Sequence, residues 1–187
     1  LCFKFFKRVR IFFMYLVPGL EFQEKMLKWY ENKYKTNIIR IPHFEVSNFL
    51  KYGSFTLYDE NVDIVGINDI YRYIRQKTGI HWKAAGERCS DSIVRNAMIK
   101  NSGSIDRKRG RFYPLAYWNK NDVLKYIKYK KLYLSPEQKK LGFSFRSLAG
   151  NELAILKEYC LKDYEKVLKV YPFVGAAVER FTKYGKK

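Results

Sequence analysis

Cysteine is scarce and poorly placed for metal or redox work: the 187 residues hold three, Cys2, Cys89 and Cys160, with no Cys-x-x-Cys pair. That excludes a zinc ribbon or a four-cysteine iron–sulfur cluster built from this chain, and a disulfide framework too. The two histidines, His43 and His81, lack ligand spacing and read as strand-end polar residues, so no metal site is expected. A reducing, cytoplasmic setting fits this usage. Long apolar runs are also missing. The uncharged stretch Ile11–Val17 covers seven residues, whereas a bilayer crossing needs about 20. The segment before it mixes Lys4, Lys7, Arg8 and Arg10 with aromatics, unlike a signal peptide, and no membrane partner is expected. Acidic residues are the third shortage, 18 against 37 Lys and Arg, for a formal charge of +19. Such an excess favours polyanionic partners and says nothing about fold.

What is present argues for a folded chain. Apolar residues make up 47% and aromatics 18%, enough for a core in a chain of single-domain length. Ile11–Val17, closed by Pro18-Gly19, reads as a central strand buried on both faces. Phe22, Met26, Leu27, Trp29 and Tyr30 then recur at helical spacing up to Tyr34. Asn37–Ile41 is a second strand, and Glu45–Val65 reads as irregular. Asp69 caps a helix through Lys77 that Gly79 stops. Ile80–Ala85 is a strand, followed by a helix after Asp91. Asn101–Gly110 has the composition of a mobile loop, and Phe112–Trp118 reads as extended. Asn119 or Asn121 caps a helix through Lys130. Beyond Ser135-Pro136 the pattern is helical, with Leu153, Leu156, Val167, Val170, Val178 and Phe181 at core positions. Alternating strands and helices predict an α/β fold: a parallel twisted sheet with flanking helices and a helical C-terminal region.

The chemistry-bearing stretch is Ala84–Lys100. A strand meets Gly86, then Arg88, Ser90, Asp91 and Ser92, before an apolar helical pattern of Ile93, Ala97 and Met98. Strand, glycine, polar turn and helix start is an order that presents backbone N–H groups to an anion. Gly86 allows close approach of a ligand to the backbone. Arg88 and Arg95 offer planar donors for phosphate or sulfate oxygens, and Ser90 and Ser92 offer hydroxyls. Asp91 has two readings, a helix cap or a clamp on an arginine. An ordinary Ser/Asp cap followed by solvated arginines is the plain alternative for the whole turn. Lys108, Arg109 and Arg111 lie over phosphates, touch nucleic acid, or form a solvated face. Trp118 and Tyr126 read as packing residues, Cys160 as a structural thiol, and Cys89 as a residue without a redox role.

Three strings together carry a resemblance. Gly86-x-Arg88-x-x-Asp91-Ser92 with Arg95 is followed by Arg111-Phe-Tyr-Pro114-Leu115-Ala-Tyr-Trp118, Asp122-Val123, Tyr126-Ile127, Leu132, Pro136 and Gly142-Phe143. Ahead of them stands Val17-Pro18-Gly19-Leu20-Glu21-Phe22-Gln23-Glu24. Over residues 11–145 the pattern resembles the phosphoadenosine phosphosulfate (PAPS) reductase family. These proteins belong to the adenine-nucleotide alpha-hydrolase, or ATP-pyrophosphatase-like, group. The resemblance implies an adenine-nucleotide-binding α/β domain over residues 1–145 with a helical extension over 146–187. It implies ATP or PAPS as substrate, sulfur or adenylyl transfer as the chemistry, and Pro114 and Leu115 as the adenine-side wall. The implied binding residues are Gly19, Gly86, Arg88, Ser90, Asp91, Ser92, Arg95 and Arg111.

Three departures set limits. The family's Ser-Gly-Gly-x-Asp-Ser phosphate loop is absent, and Leu1 stands just after where it would lie, which reads as an N-terminal truncation. Val17 replaces the aspartate of the family's Asp-Thr-Gly segment. The Glu-Cys-Gly-x-His motif of sulfate-reducing members has no counterpart near Lys187, so no catalytic residue is assigned, no iron–sulfur cluster is expected, and PAPS reduction to sulfite by this chain alone is not expected. Two further readings stay open: a relative that modifies nucleic acid, with DNA or RNA as partner, and a non-catalytic anion-binding remnant.

Overall fold

In a computed structural model the described residues are 1–134, 139, 145 and 147–185. Pro136, Gly142 and Phe143 of the family-like string, and Ser135, lie outside them. The chain divides into two compact units: Leu1–Val9 with Arg72–Tyr133, and Arg10–Tyr71 with Leu134–Lys187. In the second of these the C-terminal helices share one core with Leu16 and Val17, just past the first strand, and with the helix that follows. Among the described residues no helix is long and apolar enough to cross a membrane.

The larger unit carries a parallel pair, β1 (Ile11–Tyr15) and β2 (Ile38–Pro42), registered Ile11 to Ile38 and Tyr15 to Pro42. Helix α2 (Glu21–Tyr34) connects them, the expected βαβ order; the first helix, α1 (Cys2–Phe5), belongs to the smaller unit. Among the described residues β1 pairs with β2 alone, and its five residues are half-buried. The expected two-sided burial falls instead on Leu16 and Val17, just past the strand. Arg40 of β2 fastens α2 to the sheet, its guanidinium 3.0 Å from Glu24 and 2.8 Å from Glu31. Glu31 also accepts the Ile38 N–H, and these hydrogen bonds hold its carboxyl below the usual range.

Glu45–Val65 is not wholly irregular, since α3 (Glu45–Lys51) forms there. Its Ser47 hydroxyl donates to Phe44 O and accepts from Val65 N, tying the helix to the loop's far end. Helix α4 (Ile67–Thr78) is preceded by Gly66, whose N–H donates to Asp69, and it ends at Gly79 with φ +65°. That is the left-handed conformation that glycine adopts without Cβ strain.

Past Leu148 three short helices, α7 (Gly150–Tyr159), α8 (Leu161–Val170) and α9 (Val174–Tyr184), complete the larger core. They contribute buried Leu153 and Leu156, Tyr164 and Val167, and Val174 and Val178, packed with Leu16, Val17, Leu20 and Phe22. Val170, expected in that core, is 37% exposed. Tyr171 is fully buried and donates its hydroxyl to Leu16 O at 3.1 Å; burial pushes its phenol up to about 12. Cys160 packs at the edge of this core, as expected of a structural thiol.

The smaller unit holds a three-stranded sheet in the order β3 (Lys83–Ala84), β5 (Arg111–Phe112), β4 (Ile105–Asp106). β3 and β5 are parallel, and β4 is antiparallel to β5. The expected strand Ile80–Ala85 shrinks to two residues, and of Phe112–Trp118 only Phe112 lies in a strand. Tyr113 O accepts the Ala116 N–H, and Pro114 at the second position of that turn pre-sets the backbone that ends β5. β4 likewise stands inside the expected Asn101–Gly110 loop. Helix α5 (Ile93–Ser102) follows β3, and α6 (Lys120–Tyr129) begins at Asn119, whose side chain accepts from Asp122 N while Asp122 accepts from Asn119 N. A small core of Ala85, Ile99, Tyr113 and Ala116 lies between, with Cys89 against it.

Candidate functional site

The backbone from Lys83 onward runs beside 110–118: Lys83 N donates to Gly110 O, Ala85 N to Phe112 O, and Cys89 N to Ala116 O. The Ser90 hydroxyl continues that pairing by donating to Trp118 O at 2.9 Å. Gly86 through Ser92 is therefore a fixed turn beyond the C-terminal end of β3, where open α/β sheets place ligands. A Cβ at Gly86 would meet nothing within 4 Å, so that side of the backbone is open.

Asp91 resolves its two readings in favour of the clamp. Its Oδ1 accepts from Arg88 Nε at 2.9 Å and Nη2 at 2.6 Å, while Oδ2 accepts from Arg88 N at 2.9 Å and Arg95 Nη1 at 3.3 Å. The cap of α5 falls to Ser92, whose Oγ accepts from Arg95 N. Burial alone would raise the Asp91 carboxyl, but the Arg88 hydrogen bonds and the charges of Arg88 and Arg95 outweigh it and hold it below the usual range. Two arginines share one carboxylate, so the cluster keeps one net positive charge. Arg88 is largely buried, its side chain 20% exposed, and Arg95 at 48% reaches solvent.

Arg111 belongs to a second row. On the three adjacent strands Lys83, Arg111 and Asp106 are direct partners and so share a face of the sheet. Asp106 is buried against the Arg109 backbone N–H (3.0 Å) and guanidinium (3.1 Å). Burial, then the neighbouring charge of Arg111, pushes the Lys83 ammonium down to about 8, with Glu87 opposing and Arg75 adding to the depression. Because this value lies below the unfolded 10.5, the unfolded chain binds more protons between them, and folding stability gains from Lys83 as pH rises through that window. Lys83→Met is expected to flatten the rise in urea midpoint between pH 8 and 10; an unchanged slope would contradict the assignment.

Gly19 lies in the other unit. Its φ is +69°, and its carbonyl accepts from Lys166 Nζ at 2.9 Å. The first N–H groups of α2, Glu21 N and Phe22 N, donate to the Asp163 carboxylate at 2.6 and 3.1 Å. The helix start after β1 is thus filled by the chain's own anion. Sequence reading missed Asp163 and Lys166, which stand over 140 residues away and carry no local signal. It also missed Lys83, a lysine entering a strand with nothing to mark it. Trp118 and Tyr126 pack edge to face at 5.4 Å, as expected of packing residues. His43 follows β2, its Nδ1 accepting from Glu45 N; burial lowers its imidazole, opposed by Glu45. Among the described residues no group of three His, Cys, Asp or Glu is placed to hold a metal. Compared with known proteins, the chain matches no protein-family model, no curated protein and no solved structure.

Proposed function

We propose that the Gly86–Arg95 turn binds the phosphate or sulfate groups of an adenine nucleotide, ATP or PAPS, in a PAPS-reductase-like domain acting in sulfur or adenylyl transfer. The observation that carries this reading is the convergence of Arg88 and Arg95 on Asp91 just beyond β3. Two of the five Arg88 N–H donors, and one of those on Arg95, are spent on Asp91. The others are available to an incoming oxyanion, and Asp91 fixes the plane of Arg88 before the ligand arrives. Such preorganisation saves the entropy of ordering a long side chain on binding. The open side of Gly86 and the Ser92-capped start of α5 complete the anion-facing turn. The arrangement binds and orients, and Asp91, held ionised by two arginines, is unsuited to general-acid work near neutral pH.

Calorimetric titration of the protein with ATP and with PAPS tests this. Arg88→Ala is expected to weaken binding by about 1–3 kcal/mol, the value of a charge-assisted hydrogen bond. Arg88→Lys should recover little, since a point charge does not replace a fork. Equal affinities for the wild type and Arg88→Ala, or no binding of either nucleotide by the wild type, would refute the proposal.

A further inference from the structure

We infer that the smaller unit carries a second, extended anion surface, distinct from the Arg88 turn, that takes the phosphodiester backbone of a single-stranded nucleic acid. Three segments are drawn into one place by Arg75. Its Nε donates to His81 O at 2.9 Å and its Nη2 to Arg109 O at 2.6 Å. Gly110 fits between them, for a Cβ there would stand 2.5 Å from His81 Nε2 and 3.0 Å from Arg75 Nη2. The end of α4, the approach to β3 and the β4–β5 turn therefore form one surface. Lys83 and Arg111 sit side by side on it as strand partners.

Charge on this surface is heavily one-sided. Its three segments, residues 72–78, 80–84 and 105–111, hold eight Lys or Arg and one acidic residue, Asp106. Asp106 faces Arg109, and Glu87, just past the second segment, acts on Lys83. Folding thus gathers like charges that repel one another, a cost that a bound polyanion offsets. The cations are strung over three segments rather than focused on one carboxylate-sized point, which suits a chain of phosphates better than a single one. Trp82 supplies the other ingredient. It is 44% exposed, and its ring lies 6.0 Å from that of His81, whose carbonyl accepts from Arg75. An exposed aromatic next to a basic row is the combination that stacks an unpaired base while the backbone is neutralised.

The test is fluorescence anisotropy of the full chain with labelled single-stranded DNA, the matching RNA and the duplex, over about 50–200 mM salt. Lys83→Gln/Arg111→Gln is expected to weaken single-strand binding at least about ten-fold and to lower the salt slope by about 1.4, at about 0.7 per lost phosphate contact. Since Lys83 is half-buried, Arg107→Gln/Lys108→Gln, at exposed positions of the same turn, repeats the charge loss without disturbing the sheet and should also weaken binding. Lys125→Gln/Lys128→Gln on α6 removes the same charge elsewhere and should change affinity less than about two-fold. Trp82→Ala should weaken single strands and leave the duplex unaffected. The preference between DNA and RNA names the natural strand. The inference is overturned if the α6 control weakens binding as much as the surface variants, if Trp82→Ala has no effect on single strands, or if anionic phospholipid vesicles bind and oligonucleotides do not. Nucleotide affinity at Arg88 is unaffected by Trp82→Ala, so either reading can fail alone.

Discussion

Asp163→Ala is expected to lower the unfolding free energy by about 3 kcal/mol, read as a shift of the urea midpoint with little change in slope. Asp163 lies on the helix Leu161–Val170 and is buried, yet its carboxylate reaches the first turn of α2 and accepts from Glu21 N and Phe22 N. Those N–H groups are among the four that an α-helix leaves without internal partners. α2 lacks a side-chain cap of its own, since Leu20 stands at the cap position, so Asp163 does the work of a cap from across the fold. Removing it strands two donors, one of them on the buried Phe22, at about 1–3 kcal/mol per unsatisfied group. It also takes the negative charge from the positive end of a 14-residue helix. Lys166, 3.5 Å from the carboxylate, is a minor loss because it reaches solvent and keeps Gly19 O. Asp163→Asn should fall between, since the amide offers one acceptor oxygen where the carboxylate offers two. A wild-type midpoint in the alanine variant would show that water replaces the carboxylate at no cost.

That contact also marks where sequence reading stops. β1, α2 and β2 were legible because each announces itself locally, through an apolar run closed by Pro18-Gly19, a 3.6-residue pattern, and a short branched stretch ended by Pro42. α5 and α6 were legible through the Ser/Asp cluster up to Ser92 and through Asn119 or Asn121, of which Ser92 and Asn119 are the caps. α3 was not, since seven residues give barely two turns and its cap position, Phe44, has no capping side chain. β3 and β5 were overread because their length is set by each other and by the Tyr113-Pro114 turn, not by how far apolar residues extend. In the candidate site the residue types were legible and the pairing was not. Spacing alone lets Asp91 cap α5 or hold Arg88; the short 3-10 turn over Cys89–Asp91 turns its carboxylate back toward Arg88 and leaves the cap to Ser92. The link from Asp163 to α2 and the adjacency of Lys83 to Arg111 depend on chain segments meeting in space, which periodicity does not encode.

Two glycine substitutions in one helix pair are expected to have opposite signs. Gly150 opens α7 (Gly150–Tyr159), and Gly175 lies in the first turn of α9 (Val174–Tyr184). In a helix, replacing glycine by alanine ordinarily gains about 0.5–1 kcal/mol, because alanine loses less backbone entropy on folding. At Gly175 nothing lies within 4 Å of the new Cβ, so Gly175→Ala should realise that gain and raise the melting temperature by a few degrees. At Gly150 the same methyl group meets the carbonyl oxygen of Ala177, and Phe181 Cβ at 2.8 Å. The carbonyl is backbone of α9 and has no rotamer in which to retreat, so the two helices must separate. Separation loosens Leu153 and Leu156 on one side and Val174 and Val178 on the other, all buried to 2% exposure or less. Overpacking of this kind costs about 1–3 kcal/mol, and a rigid obstacle puts Gly150→Ala at the upper end, well beyond the propensity gain. Gly150→Ala should therefore lower the melting temperature while Gly175→Ala raises it. If both raised it, α7 and α9 would not approach as closely as Gly150 requires, and the core that holds Tyr171 against Leu16 would be looser than this packing demands.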